Sequence, residues 1–303
     1  MSTFDSRVVP LLAMACGIAL AQPNSSEQDF TLRTTSQLVV LNVRVRDSHG
    51  NNIRGLANPD FAVYEDGQPQ SVKQFGSGDQ PVTVGILVDA SSSMRTRQKE
   101  VAAAVLAFVQ ASNPKDETFV INFNDRPSLA LPSRMAFSSD PHEIDRALLA
   151  TRPDGKTSLY DAVVMAAEHL SKAKWENKVL LLVSDGGDNN SKHTFADAVR
   201  ALEISGSTLY SIALFDPDDE EHNAHALKRL SNLTGGESYT PQTLAEVGPL
   251  CLRIARDIRD SYTLAYTPPE SLHEVRKVKV TATQPAGPKL AVRTRGSYIL
   301  TGH

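Results

Sequence analysis

Cysteine is nearly missing from this chain, with Cys16 and Cys251 the two in 303 residues. No disulfide framework and no paired-cysteine metal knuckle can therefore support the fold. A surplus of one charge is missing too. The 31 basic and 35 acidic residues leave a net charge of −4, and no basic block forms a nucleic-acid footprint, which argues against a polynucleotide partner. The apolar run at residues 8–20 is too short for a bilayer span, which needs ~20 apolar residues. Internal repeats, low-complexity tracts, a nucleophile elbow and a zinc-protease helix are absent as well. What remains is a chain long enough for one large domain and a smaller one.

The start of the chain reads as an export signal over residues 1–21. Arg7 precedes the apolar run, and Ala19-Leu20-Ala21 supplies small residues before Gln22. Cleavage after Ala21 would remove Cys16 and leave Cys251 alone. The expected location is therefore secreted, periplasmic or at the cell envelope. Lipid anchoring through Cys16 is the lesser reading, because Ala13-Met14-Ala15 is a poor lipobox. Residues 22–36 are polar and unpatterned and read as a linker.

A period of two then begins. Leu41, Val43 and Val45 alternate with Asn42, Arg44 and Arg46, and Phe61 to Tyr64 runs into a turn at Glu65-Asp66-Gly67. The same grammar returns only after Asp260, in Tyr262, Leu264 and Tyr266, in Val278 and Val280, and in residues 290–292 and 298–300. Each flank offers about three short strands, too few to bury a sheet face alone. The expectation is one small β-sandwich built from residues 37–79 and 261–303, with the central segment, residues 80–260, inserted into it.

That segment alternates strands at 82–88, 118–123, 177–184 and 208–213 with helices at 95–110, 141–149, 159–172, 195–205, 222–233 and 244–258. This predicts an α/β unit with a doubly wound, mostly parallel sheet. Strands without alternation are buried on both faces, and ligands of such sheets bind outside the strands' carboxyl ends.

Strand 82–88 runs straight into Asp89, with Ser91 and Ser93 at alternate positions. In an extended loop these three side chains converge, offering a carboxylate and two hydroxyls. Asp154-Gly155-Lys156-Thr157 is a turn feeding a helix and offers the Thr157 hydroxyl. The second apolar strand ends in Asp185-Gly186-Gly187-Asp188, so Asp185 is expected at the place on its strand that Asp89 has on the first. Over roughly residues 81–260 the chain resembles the von Willebrand factor type A family. Its metal-ion-dependent adhesion site, Asp-x-Ser-x-Ser followed by a threonine and an aspartate, is matched in order by Asp89, Ser91, Ser93, Thr157 and Asp185. The flanks also resemble a group of secreted bacterial proteins of acidobacterial type that carry this domain between two β-rich pieces.

The resemblance implies a Rossmann-like domain and a protein-binding or adhesion module. In the family an acidic residue of the partner protein completes the metal's shell. Hydroxyls and carboxylates are hard donors, which favours Mg2+ or Mn2+ over zinc or copper. Catalytic residues are not expected. Two other readings stand beside this one: a metal-assisted hydrolase using Asp188 or Asp154 as base, and a structural envelope component with no metal-mediated ligand.

Other motifs carry less. Gly155-Lys156-Thr157 lacks the first glycine of a phosphate loop, since Ala150 stands there, and Gly76-Ser77-Gly78 precedes no helix. The acidic run at 216–221, with His222 and His225, reads first as acids at a helix start and second as another cation site. Cys251 sits in an apolar helical pattern and is expected to be packed rather than reactive.

Overall fold

The computed structural model describes residues 38–214, 223–270, 273–284 and 290–300. The export segment, the linker, Cys16 and the acidic run with His222 lie outside the described residues.

The chain opens with β1 (Val39–Arg46), β2 (Phe61–Glu65), β3 (Gln68–Gln70) and β4 (Gln74–Gly76). Asp66 and Gly67, with φ of 48° and 83°, close the β2–β3 hairpin, the conformation for which Asp-Gly is chosen. The central part contains β5 (Thr83–Asp89), α1 (Gln98–Ala111), β6 (Glu117–Phe123), β7 (Pro127–Leu129), α2 (Pro141–Leu148), α3 (Leu159–His169) and β8 (Lys178–Ser184). It continues with α4 (Phe195–Ser205), β9 (Thr208–Ala213), α5 (Ala224–Leu233), β10 (Ser238–Tyr239) and α6 (Val247–Arg259). The chain then returns through β11 (Tyr262–Tyr266), β12 (Val275–Ala282), β13 (Ala291–Arg293) and β14 (Ser297–Ile299).

The central sheet has the order β10-β9-β8-β5-β6-β7. It is parallel except for β7, which pairs antiparallel with β6. β7 and β10 are too short to show a period and have no counterpart among the expected strands. Every residue of β5 is buried, so both faces of the sheet are covered. The α/β expectation holds. From β5 the chain goes first to β6 on one side and later to β8 on the other, so the topological switch lies between β5 and β8. A crevice opens at the carboxyl ends of strands at such a point.

The flanks form two four-stranded antiparallel sheets, β13-β1-β11-β4 and β14-β12-β2-β3, and both contain strands from each end of the chain. β1 pairs with β11 and β2 with β12. Leu41, Val43, Val63, Tyr262, Leu264 and Tyr266 fill the shared core. Inside it the Glu65 carboxylate accepts hydrogen bonds from Tyr266 (2.6 Å), Tyr298 (2.7 Å) and Arg276 (2.9 Å). One N-terminal carboxylate is thus satisfied by three C-terminal residues, and buried polar groups are costly without such partners.

The sandwich is also tied to the central domain. Arg44 and Arg46 of β1 reach Glu237 and Asp257, with Arg44 Nη1 3.1 Å from Glu237 and Arg46 Nη2 2.8 Å from Asp257. Among the described residues no helix is long and apolar enough to cross a membrane.

Candidate metal centre

Asp89 ends β5 and is fully buried. Its Oδ1 accepts the Ser91 backbone N–H at 2.9 Å, and its Oδ2 accepts the Ser184 hydroxyl at 2.6 Å. The Ser91 and Ser93 hydroxyls lie 3.0 Å apart, and Ser93 Oγ donates to Asp185 Oδ2 at 2.6 Å. Asp185 Oδ1 in turn accepts the Gly187 N–H at 3.1 Å. Four of the five expected residues therefore form one hydrogen-bonded set at the switch point.

Thr157 sits on the adjoining loop, which two backbone bonds pin to the Asp89 segment: Asp154 N–H to Ala90 O (3.0 Å) and Ser92 N–H to Gly155 O (3.1 Å). Its own N–H is held by Asn189 Oδ1 at 2.9 Å, and its carbonyl accepts from the N–H groups of Asn189 and Asn190. Gly155 makes this loop possible. Its φ is +77°, and a Cβ there would stand 2.7 Å from the Asp125 carboxylate. Of the five residues only Ser93 is exposed, so the set opens to solvent on that side.

Two details differ from expectation. Ser92–Met94 is a 3-10 turn, so Ser93 reaches Asp185 from a turn and not along an extended loop. α1 consequently starts at Gln98 rather than at residue 95. The register also places Val88 opposite Val183, so Ser184, not Asp185, lies alongside Asp89, and Asp185 stands one residue beyond. Ser184 is fully buried and bonds both Asp89 and the Gly186 N–H (3.0 Å). Sequence reasoning passed over it because it reads as the last residue of a strand; the alternation of side chains along β8, which separates it from Asp185, was the available signal. Asn189 was missed as well, since a loop asparagine carries no pattern of its own.

Burial, and then the charge of Asp185, push the Asp89 carboxyl up to about 7 against the hydrogen bonds from Ser184 and Ser91. A buried carboxylate beside a second one, ringed by hydroxyls, is a donor set that a hard divalent cation fits. Its charge would offset this repulsion, and hydroxyl and carboxylate oxygens suit its coordination. Among the described residues no group of three or more His, Cys, Asp or Glu side chains is placed to hold a metal, so a centre here would draw on hydroxyls.

The acids available for hydrolysis are engaged elsewhere. Asp188 accepts the Tyr160 N–H (3.3 Å) and the Ser191 hydroxyl (2.5 Å) at the start of α3, and burial raises its carboxyl. Asp154 is exposed and pairs with Arg95 at 3.2 Å. Cys251 is fully buried, and burial pushes its thiol up to about 12, as a packed cysteine requires.

Residues 84–187 match the family model described as von Willebrand factor type A domain. Among solved structures, the chain is similar to a von Willebrand factor type A protein from Catenulispora acidiphila, with 14% identity, TM-score 0.53, and coverage of 82% of this chain and 76% of that one. It is similar also to the vWF domain of the type V pili tip protein Mfa5 from Porphyromonas gingivalis, with 16% identity, TM-score 0.50, and coverage of 60% and 96%. A third is the mussel byssus proximal thread matrix protein 1 with a zinc-occupied MIDAS motif, with 15% identity, TM-score 0.51, and coverage of 64% and 49%. No curated protein matches. Residues 84–187 thus match a von Willebrand factor type A domain, and the six-stranded sheet with its helices, inserted between the two halves of a β-sandwich, has that fold.

Proposed function

We propose that the chain is a metal-dependent protein-binding module that holds one divalent cation, Mg2+ or Mn2+, through Asp89, Ser91, Ser93, Thr157 and Asp185. The observation that carries this reading is the hydrogen-bonded set of Asp89, Ser91, Ser93 and Asp185 at the switch point of the sheet. A cation held there would supply an electrophilic position for a carboxylate of the partner protein. Ser184 and the Ser91 N–H orient the Asp89 carboxylate, and the Gly187 N–H orients Asp185. Ser93, on the exposed side, marks where the partner approaches. The engagement of Asp188 and Asp154 in a helix cap and a surface ion pair favours binding over hydrolysis.

The export pattern expected at residues 1–21 supports a setting outside the cytoplasm, secreted or at the envelope. That setting accords with the domain's occurrence in a pilus tip protein. Because the mussel protein holds zinc in its site, the test compares zinc with the harder ions.

Calorimetric titration of the full chain with Mg2+, Mn2+ and Zn2+ should show one site that prefers Mg2+ or Mn2+ and is lost in Asp89→Ala. Binding of envelope proteins should then vanish both in chelator and in Thr157→Ala. Equal metal affinity in wild type and Asp89→Ala would overturn the assignment of the centre. Partner binding that survives chelator would overturn the function.

A further inference from the structure

At the far end of β5 from Asp89, two open cavities of about 420 and 650 Å3 meet between the β-sandwich and the last turns of α6. They share Arg54, Arg256 and Asp260 and so form one groove. Ser77 and Asp79, just before β5, line its floor, which separates it from the metal centre by the strand's length, ~20 Å for seven residues. The volumes fall in the range of small-molecule sites.

Arginine dominates the groove. Arg253, Arg256 and Arg259 recur at three-residue spacing on α6, a ladder with a rise of ~4.5 Å per step. Arg46 and Arg54 face them from the sandwich. Five arginines stand against the three aspartates Asp79, Asp257 and Asp260, in a chain whose net charge is −4. Three of these arginines are already committed: Arg46 to Asp257 (2.8 Å), Arg54 to Asp260 (2.7 Å) and Arg259 to Asp79 (3.0 Å). Arg256 has no ion pair among the described residues and donates only from Nε to the Leu252 carbonyl, at 3.4 Å. Arg253 lies over the Tyr239 ring, 5.2 Å from its centroid. Two exposed guanidinium groups thus stand between walls that paired arginines hold in place.

The aspartates decide which anion fits. Asp257 is buried and engaged by Arg44, Arg46, Tyr239 and Asn52, but a dense polyanion such as polyphosphate would meet the Asp79 and Asp260 carboxylates at close range. A sugar carrying one carboxylate per ring would present that carboxylate to a guanidinium fork, and its hydroxyls would donate to the remaining lone pairs of Asp79 and Asp260. We propose that this groove binds an acidic polysaccharide of low charge density, uronate-bearing, with Arg253 and Arg256 as its carboxylate contacts. The site is independent of the metal centre.

The test uses the full chain in chelator, which silences the metal centre, and follows fluorescence anisotropy of a labelled oligogalacturonate of defined length. Binding should weaken about tenfold or more in Arg253→Glu/Arg256→Glu, since each lost fork removes a charge-assisted contact. It should be unchanged in Asp89→Ala. It should also be unchanged in Lys99→Glu/Lys192→Glu, which makes the same charge change at exposed sites outside the groove. The arginine variant should keep a cooperative melting transition by circular dichroism, because both residues are exposed. The proposal is overturned if wild type does not bind the oligogalacturonate, if the arginine variant binds as wild type does, if the lysine pair loses as much, or if inorganic polyphosphate binds equally well.

Discussion

At the scale of single residues, Ser184 bears most directly on the proposed metal centre without being one of its expected ligands. Its hydroxyl is the partner of Asp89 Oδ2 and accepts the Gly186 N–H. Ser184→Ala would leave both groups unsatisfied where water does not reach, a loss of about 1–3 kcal/mol. Removing a hydrogen bond that orients a metal ligand lowers affinity roughly tenfold or more. The expected outcome is a lower urea midpoint together with weaker Mn2+ binding by calorimetry, the β-sheet signal remaining intact. An unchanged Mn2+ affinity would mean that Asp89 is oriented by Ser91 alone. Gly186, with φ of +86°, turns the chain sharply between Ser184 and Gly187, which is why two adjacent residues can serve Asp89 and the open side of the site at once.

At the scale of elements, β1 is the strand that joins the two parts. Val39 to Val43 pair with β11, while Arg44 and Arg46 extend toward Glu237, next to β10, and Asp257 on α6. Burial works to raise the Glu237 carboxyl. The hydrogen bond and charge of Arg46, with Arg44 and Tyr239, outweigh burial and hold it at about 2, below the ordinary 4.5. Because the folded value is depressed, this contribution is fully present above pH 4.5 and is lost as pH falls from there through 2. Its size is on the order of 3 kcal/mol. Glu237→Gln should therefore lower stability at pH 7 and flatten the loss of stability between pH 4.5 and 2, as read by chemical denaturation across that range. An acid limb as steep as in wild type would assign the transition to other carboxylates. The alternating pattern 41–46 announced β1 as a strand, but it marked Arg44 and Arg46 only as an outward face. Arg44 is in fact 4% exposed, because that face meets the inserted domain.

At the scale of the whole molecule, the two flanks share both sheets of the sandwich, while the insert has a complete sheet and a core of its own. A fragment of residues 81–260 contains the complete six-stranded sheet and its own core. It should fold cooperatively, with a lower melting temperature than the full chain, since Glu237 and Asp257 lose their arginines. Either flank expressed alone should fail to fold, because each sheet of the sandwich draws strands from both, and Glu65 would be left without Tyr266, Arg276 and Tyr298. A disordered central fragment beside independently folded flanks, seen by circular dichroism, would reverse this order. The apolar strands, the amphipathic helices and the convergence of Asp89, Ser91, Ser93 and Asp185 were legible in the chain, because burial on both faces and polar residues set directly after apolar strands leave local patterns. β7 and β10 were not, being too short to show a period. The 3-10 turn at Ser92–Met94, the register that sets Ser184 beside Asp89, and the arginine groove depend on which strands become neighbours. Residues far apart along the chain meet there, so only the folded arrangement decides them.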